Sequence, residues 1–447
     1  MRLGEADLAR LLIAVGVLLV AARAVGALFA RRRQPAVIGE ILAGVLLGPL
    51  MLGWLVPGVT ARLLPASVPV GPAVGACYHL GVIALMFAVG VELRIRLRRE
   101  ERVTAVAIAI AGMAVPFALG VAAFAFVGPG PIAGPAHSEV ALALVFGAGI
   151  AVTSIPIMSR ILRDLGLSTT PFARTAIAAA IADDVVLYAV LGIAVGLARP
   201  GGSGFGLASA LQLDASSWQG VLYYVASAPL VLAAGFALAA SRRAKPLLDR
   251  VRADVAAQLA FVFAIVVGCL LLDVHPLFGG LVAGVAMGNR GEPSAATRDL
   301  AHYGLVLLAP LYFAIVGLRV DLTHGFDVSF FLAFLTLAIA IKAAGVYAGA
   351  RLARKPPAVA RAFTVTMSAR GGPGIVLASL ALDAGIINRM FFASLVGMTI
   401  LTTLFAGWWL GRAAARAGGL FGTPEAGALG EVSQRQEISA PAGMSPS

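Results

Sequence analysis

Leu42-Ala43-Gly44-Val45-Leu46-Leu47-Gly48 returns far down the chain as Val282-Ala283-Gly284-Val285-Ala286-Met287-Gly288. Both read apolar-Ala-Gly-Val-x-x-Gly. Two further pairs follow in the same order. Leu85-Met86-Phe87-Ala88 with Gly90 matches Leu311-Tyr312-Phe313-Ala314 with Gly317, and an apolar stretch interrupted at Pro156 matches one interrupted at Pro373. One Gly-Ala-Val string is what chance delivers in apolar sequence. Three matches in one order describe a chain built as two halves.

The surrounding composition names the solvent. Of 447 residues, 60% are apolar and 13% charged, against about 45–50% and about 25% in a soluble chain. Two cysteines, Cys77 and Cys269, exclude a disulfide scaffold. A helix crosses the hydrocarbon core with about 20 mostly apolar residues. Thirteen stretches qualify, at roughly 8–30, 36–56, 74–92, 103–127, 138–163, 172–198, 218–240, 253–273, 275–289, 300–319, 328–351, 358–384 and 389–413. The second, with Glu40 and Pro49, and the short ninth are the weakest, so twelve is the alternative count. Most lack the alternation of a spanning barrel, and 52 glycines suit close helix packing. The expectation is an all-α polytopic membrane protein of about 13 transmembrane helices.

The basic residues test that count. Segments after odd-numbered spans hold 24 of the 34 lysines and arginines, and the opposite side holds 6. Cytoplasmic loops carry such an excess, so the N-terminus is expected outside and the C-terminus in the cytoplasm. The formal charge of +12 is then a map of one membrane face, and nucleic acid is not an expected partner. Glu5 and Asp7 precede the first span and Arg31-Arg32-Arg33 follow it, the reverse of a cleavable signal peptide. An uncleaved anchor is expected. Residues 415–447 are expected to be a disordered cytoplasmic tail.

Matching spans lie seven apart. Because seven is odd, the halves are upside-down relative to each other, the inverted-repeat arrangement of secondary transporters. Charges inside the spans sharpen this. Asp183 and Asp184 are central in span 6, Lys342 in span 11, and Arg370 falls within span 12. Each costs about 2.5–3.5 kcal/mol at the bilayer centre even on the lenient insertion scale, so such groups face the bundle interior and pair. Adjacent helix residues point about 100° apart, so one aspartate can pair with a lysine while the other faces an aqueous funnel. A buried Asp183–Lys342 pair without a transport role would leave Asp184 unexplained. Spans 5 and 12 carry Thr153-Ser154-Ile155-Pro156 and Arg370-Gly371-Gly372-Pro373. Proline removes a donor, and irregular backbone at this depth lines a cavity or is buried in protein. Helix breaks are expected at Pro156 and at Gly371, Gly372 and Pro373, giving two crossed discontinuous helices.

With these motifs the chain resembles the monovalent cation:proton antiporters of the second cation–proton antiporter family, the sodium/proton and Kef-type exchangers. The resemblance runs from Pro35 to about Gly411, through Pro35–Pro49, Leu85–Leu93, Thr153–Gly166, Asp183-Asp184, Pro310–Arg319, Lys342 and Arg370-Gly371. It implies a homodimer in the cell's inner membrane. Residues 1–100 and 250–322 would form a dimerisation part, 101–200 and 326–414 a mobile core, and 215–245 a linker helix. It also implies that Asp184 binds cation or proton and that Asp183 pairs with Lys342. Relatives with this set look electrogenic. Many carry a carboxylate three or four positions after the Arg-Gly of span 12, where this chain has Pro373 and Gly374.

The expected activity is exchange of a monovalent cation, sodium first and potassium second, for protons. Thr153 and Ser154 hydroxyls and freed carbonyls would ligate the ion, and Arg370 with Lys342 would compensate charge. No cofactor and no enzymatic reaction are expected. A potassium efflux system and a sodium-coupled organic-anion symporter on the same fold are the alternatives. The first relatives usually carry a nucleotide-binding domain, and the second have no evident need for two aspartates with a lysine.

Overall fold

The computed structural model describes residues 4–32, 34–48, 51, 70–92, 99–155, 158, 161–162, 165, 167, 170–198, 206–213, 217–288, 292–320 and 326–416. Among these the secondary structure is helical, with one isolated bridge between Ala133 and Ile387. In chain order the principal helices are α1 (Glu5–Arg31), α2 (Ala36–Leu47), α3 (Val70–Glu92), α4 (Arg99–Val127), α5 (Glu139–Ala151), α6 (Pro171–Ala198) and α7 (Trp218–Ala240). They continue with α8 (Val255–Leu271), α9 (Pro276–Gly288), α10 (Ala295–Leu318), α11 (Val328–Leu352), α12 (Pro357–Met367), α13 (Gly371–Asp383) and α14 (Arg389–Arg416). Residues 415–447, expected to be disordered, lie outside the described residues except for the last turn of α14, as does the part of span 2 beyond Gly48 other than Met51.

Every one of the thirteen apolar stretches meets a helix, but helix length supports fewer full crossings. Eight described helices are long and apolar enough to span, or nine when the 120° bend joining Lys245–Val251 to α8 is counted within one span. Here α12 and α13 count as one. The shorter apolar helices are α2, α5, α9 and the Ala226–Ala240 part of α7. Among the described residues eight or nine helices qualify as crossings by length and composition, against thirteen apolar stretches in the sequence. Large side chains such as Leu12, Val20, Phe126 and Leu230 stand exposed on the outer faces, where hydrocarbon solvates them.

The helix starts follow ordinary capping chemistry. Ser138, Ser217, Asp254, Ser294 and Asp327 each accept from a backbone N–H of the first turn of the helix they precede. Thr170 does the same for α6, whose first residue is Pro171, a position where the missing N–H costs no helix bond.

Packing divides the helices into two groups. In one, α1 packs on α2, α2 and α3 on α10, and α3 and α8 on α9. In the other, α4 packs on α5, α6 and α11, α11 on α12, and α13 on α14. Helix α7 touches both, through α6 on one side and α9 on the other.

The repeated motif now has a packing role. A side chain at Gly44 in α2 would run into the Ala314 carbonyl and the Gly317 Cα of α10, and one at Gly317 would meet Ile41 and Gly44. A side chain at Gly284 in α9 would run into the Phe87 carbonyl and the Gly90 Cα of α3, and one at Gly90 would meet Leu281 and Gly284. The sequence repeat equates Gly44 with Gly284 and, with one extra residue in the second copy, Gly90 with Gly317. The crossing of α2 with α10 is therefore the repeat-mate of the crossing of α9 with α3. Both rest on backbone-to-backbone contact, which small residues permit in membranes.

Gly284→Val should lower the folded yield and the thermal midpoint in detergent, because overpacking a tight contact costs about 1–3 kcal/mol or more. The same change at Gly268, whose added Cβ meets nothing within 4 Å, should leave both near the parent value.

Candidate ion-binding site

Two helices lose their regular hydrogen bonding at the bundle centre. Helix α5 stops at Ala151, and Val152, Thr153 and Ser154 are non-helical. The start of the break thus precedes Pro156, which itself lies outside the described residues. Helix α12 stops at Met367, and α13 starts at Gly371 with φ of 35°. Gly371 was expected within the break and stands at its edge, in the left-handed region that glycine tolerates. Gly372 and Pro373 do not break the helix. They occupy the first turn of α13, where proline fits because those N–H groups have no intrahelical partner.

The two unwound segments meet. Thr153 Oγ1 lies 3.1 Å from the Met367 carbonyl oxygen and 2.9 Å from Asp183 Oδ2, as donor to either. One hydroxyl thereby caps the end of α12 and ties it to α6. The last carbonyls of α5 are orphaned by the break and are met by cations. Lys342 Nζ donates to the Ala151 carbonyl at 2.5 Å and Arg370 Nη2 to the Ile150 carbonyl at 2.8 Å. Positive charge is favourable at a helix C-terminus.

Asp183 and Lys342 form an ion pair, 3.1 Å from Nζ to Oδ2, with side chains 1% and 0% exposed. Arg370 departs from its expected pairing role. Among the described residues it meets no carboxylate. Its donors go to the carbonyls of Ile150 and Ala338 and to Met398 Sδ. Five donors in a rigid fork let a guanidinium staple several backbone groups without an acid partner.

Asp183 Oδ1 and Arg370 Nε are buried without a partner, but Asp184 stands further outside this network. It is 1% exposed, and neither carboxylate oxygen has a hydrogen-bond partner. Ser154 Oγ is likewise buried and unpartnered. Buried polar atoms are nearly always satisfied, so these unpartnered oxygens mark Asp184 and Ser154 as candidate site residues. Thr153, grouped with Ser154 as an expected ligand, donates its hydroxyl proton to Asp183 or the Met367 carbonyl and keeps its oxygen lone pairs. A cavity of about 310 Å³ between α4 and α6 runs from Arg102 in the first turn of α4 to Asp183.

Tyr188, Tyr312 and Ser379 were missed from the sequence, and their hydroxyls are also buried without a well-formed hydrogen bond. Tyr188 follows Asp184 by four residues, hence on the same face of α6, and that spacing was a usable signal. Tyr312 and Ser379 come from α10 and α13, and no local pattern announces them.

The match to known proteins is broad. Residues 15–416 fit the family described as "Sodium/hydrogen exchanger, transmembrane". The chain belongs to that family of cation:proton antiporters. This exchanger is 28% identical over 413 residues to the Na(+)/H(+) antiporter NhaS4 of Synechocystis sp., covering 89% of its own length and 94% of that protein. It is 28% identical over 386 residues to K(+)/H(+) antiporter 1 of Saccharomyces cerevisiae, covering 84% of its own length but 43% of that longer protein. The solved sodium proton antiporter MjNhaP1 from Methanocaldococcus jannaschii shares the fold, with a TM-score of 0.62 at 17% identity over 92% of this chain and 99% of that one. The exchanger is a multi-pass integral membrane protein.

Lys342→Met leaves Asp183 buried and unpaired, and breaking one side of such a pair costs about 3–5 kcal/mol. Its thermal midpoint in detergent should fall clearly. Asp183→Asn combined with Lys342→Met should recover most of the loss. A double variant no more stable than Lys342→Met alone would show that the pair does not act as a unit.

Proposed function

We infer that this exchanger moves a monovalent cation in one direction and protons in the other through one site centred on Asp184. The observation that carries this reading is the Asp184 carboxylate, buried with both oxygens unpartnered beside an already neutralised Asp183–Lys342 pair. A lone carboxylate in low dielectric is costly to leave bare. A proton or a cation each neutralises it, and both cannot occupy it at once. The loaded site is close to neutral and can be carried past the apolar barrier, whereas the empty site resists the passage. That difference couples the two fluxes.

Roles follow from this. Asp184 takes the ion or proton, with the Ser154 hydroxyl and the carbonyls freed around 152–154 as further oxygen ligands suited to a hard cation. Lys342 holds Asp183 charged and oriented. Arg370 and Thr153 hold the crossed ends together. Motion divides along the packing groups. Residues 101–200 and 326–414 form the moving core, residues 1–100 and 250–322 the dimerisation part of a homodimer, and 215–245 the linker. The packing of α7 on both groups suits that linker. The arginine bias puts the N-terminus outside and the C-terminus in the cytoplasm, in the inner membrane. Sodium is the preferred cation on the resemblance of the motifs. Potassium is the second reading, because a K(+)/H(+) antiporter is as similar in sequence as a Na(+)/H(+) antiporter. Exchange is electrogenic, with more protons than cations moved per cycle.

In proteoliposomes, a sodium or potassium gradient should drive proton flux, and Asp184→Asn should abolish it while leaving the fold intact by thermal unfolding. Retained cation-dependent flux in that variant would remove Asp184 from the site. With membrane potential clamped at different values the rate should change, and a rate indifferent to potential would mean electroneutral exchange.

A further inference from the structure

A second polar cluster sits at the end of the bundle away from Arg31, Arg99, Arg102 and Arg298. It joins the two packing groups. Asp383, the last residue of α13, accepts from Tyr78 Oη of α3 at 2.9 Å through Oδ2 and from Arg319 Nη1 beyond the end of α10 at 2.5 Å through Oδ1. The Arg319 guanidinium also lies over the Tyr78 ring, 4.4 Å from its centre. Three groups from three helices thus interlock, two from the static side and one from the broken helix of the core.

Below this cluster lie hydroxyls that nothing in the ion site uses. The Tyr78 and Tyr312 rings are 5.2 Å apart. Tyr312 and Ser379 approach each other across α10 and α13, each without a well-formed hydrogen bond. Tyr312 is within electrostatic reach of Tyr188, and Tyr188 of Asp184. Asp184, Tyr188, Tyr312 with Ser379, Tyr78, and Asp383 with Arg319 thus follow one another as neighbouring polar groups. On the exchange reading above, an ion leaving Asp184 toward this end would travel along them.

We propose that Tyr78, Arg319 and Asp383 are the outer gate of the exchange path. They latch α13 to α3 and α10 across the end of a hydroxyl-lined file from Asp184, and the latch opens once in each cycle. Its chemistry suits that duty. The pair Arg319–Asp383 is partly exposed, with side chains 32% and 26% accessible, and water at this end can solvate both charges when they part. The Tyr78 side, only 2% exposed, keeps the file dry while the latch is closed. Helix α3 can approach closely here because Gly81 packs against the Tyr312 Cβ and the Leu308 carbonyl. These three are gating residues and touch no transported ion at the Asp184 site.

The test uses the full chain with Cys77 and Cys269 changed to alanine and Ser379→Cys placed in the file. A membrane-impermeant methanethiosulfonate is added from the outer face of right-side-out vesicles. Labelling should be slow with the latch intact and about five- to tenfold faster with Asp383→Asn or Arg319→Gln, as expected when removal of a weak pair shifts an open–closed equilibrium. Tyr78→Phe, which removes only the hydroxyl, should give an intermediate rate. Equal rates in all four, or acceleration from the cytoplasmic face alone, would overturn the gate. In a second arm, Arg319→Cys with Asp383→Cys is joined by a short reducible bis-methanethiosulfonate. Cation-driven proton flux should stop and return on reduction, and undiminished flux through the cross-linked protein would also overturn the proposal. Absence of any flux in the unmodified protein would instead count against the exchange reading, while the labelling rates would still decide the gate.

Discussion

The cost of holding charge away from water governs this molecule. Asp183, Asp184, Lys342 and Arg370 lie at most 1% exposed within a hydrophobic bundle, and each would be ruinous alone. Three of the four have polar partners, and the way they find them explains the broken helices. A continuous helix offers only carbonyls already engaged in its own bonds, as Ala338 of α11 does to Arg370, whereas a helix end offers free ones. By stopping at Ala151, α5 presents the carbonyls of Ile150 and Ala151 to Arg370 and Lys342. The breaks and the buried cations solve each other's problem. Of these four, Asp184 alone has no hydrogen-bond partner at any side-chain atom, and it is the group on which the exchange reading rests.

The same cations fix where the halves cross. Lys342 of α11 binds α5 and α6 together through one ammonium, and Arg370 binds α5 to α11 through one guanidinium. Thr153 adds a stitch to α12. Loosening any of these connections frees a helix end and uncovers a charge at once. The centre of the bundle is therefore rigid by electrostatics, while its periphery is held by apolar contact and by small-residue packing.

Much of this was legible in the sequence because charge is so scarce there. With 13% charged residues overall, two adjacent aspartates and a lysine inside apolar stretches stand out. The glycine motifs gave the repeat, and the structure turned them into paired crossings. Three things were not legible. The break in span 12 falls before Gly371, because proline in a first turn costs nothing, and composition alone cannot separate a helix start from a helix interruption. The partners of Arg370 are carbonyls and a sulfur, and neither leaves a charge pattern in the sequence. The hydroxyls of Tyr312 and Ser379 approach each other from distant segments, and tyrosine in a membrane span reads as ordinary packing until its neighbours are known.

The reciprocal glycine crossings bear on which way the machine prefers to run. The contact of Gly44 with Gly317 and that of Gly284 with Gly90 are one design used twice, once in each half, and the halves are inverted. A bundle of this kind treats its two ends as near-equivalents. Tilting one group against the other in either sense exchanges the surroundings of the two crossings without creating a new kind of contact. On the proposed exchange reading the two tilted forms would differ little in intrinsic energy, and a small difference in loading would decide their populations. Direction would, on that same reading, be left to the gradients on the two sides, and the protein would supply only the rule that the site crosses full.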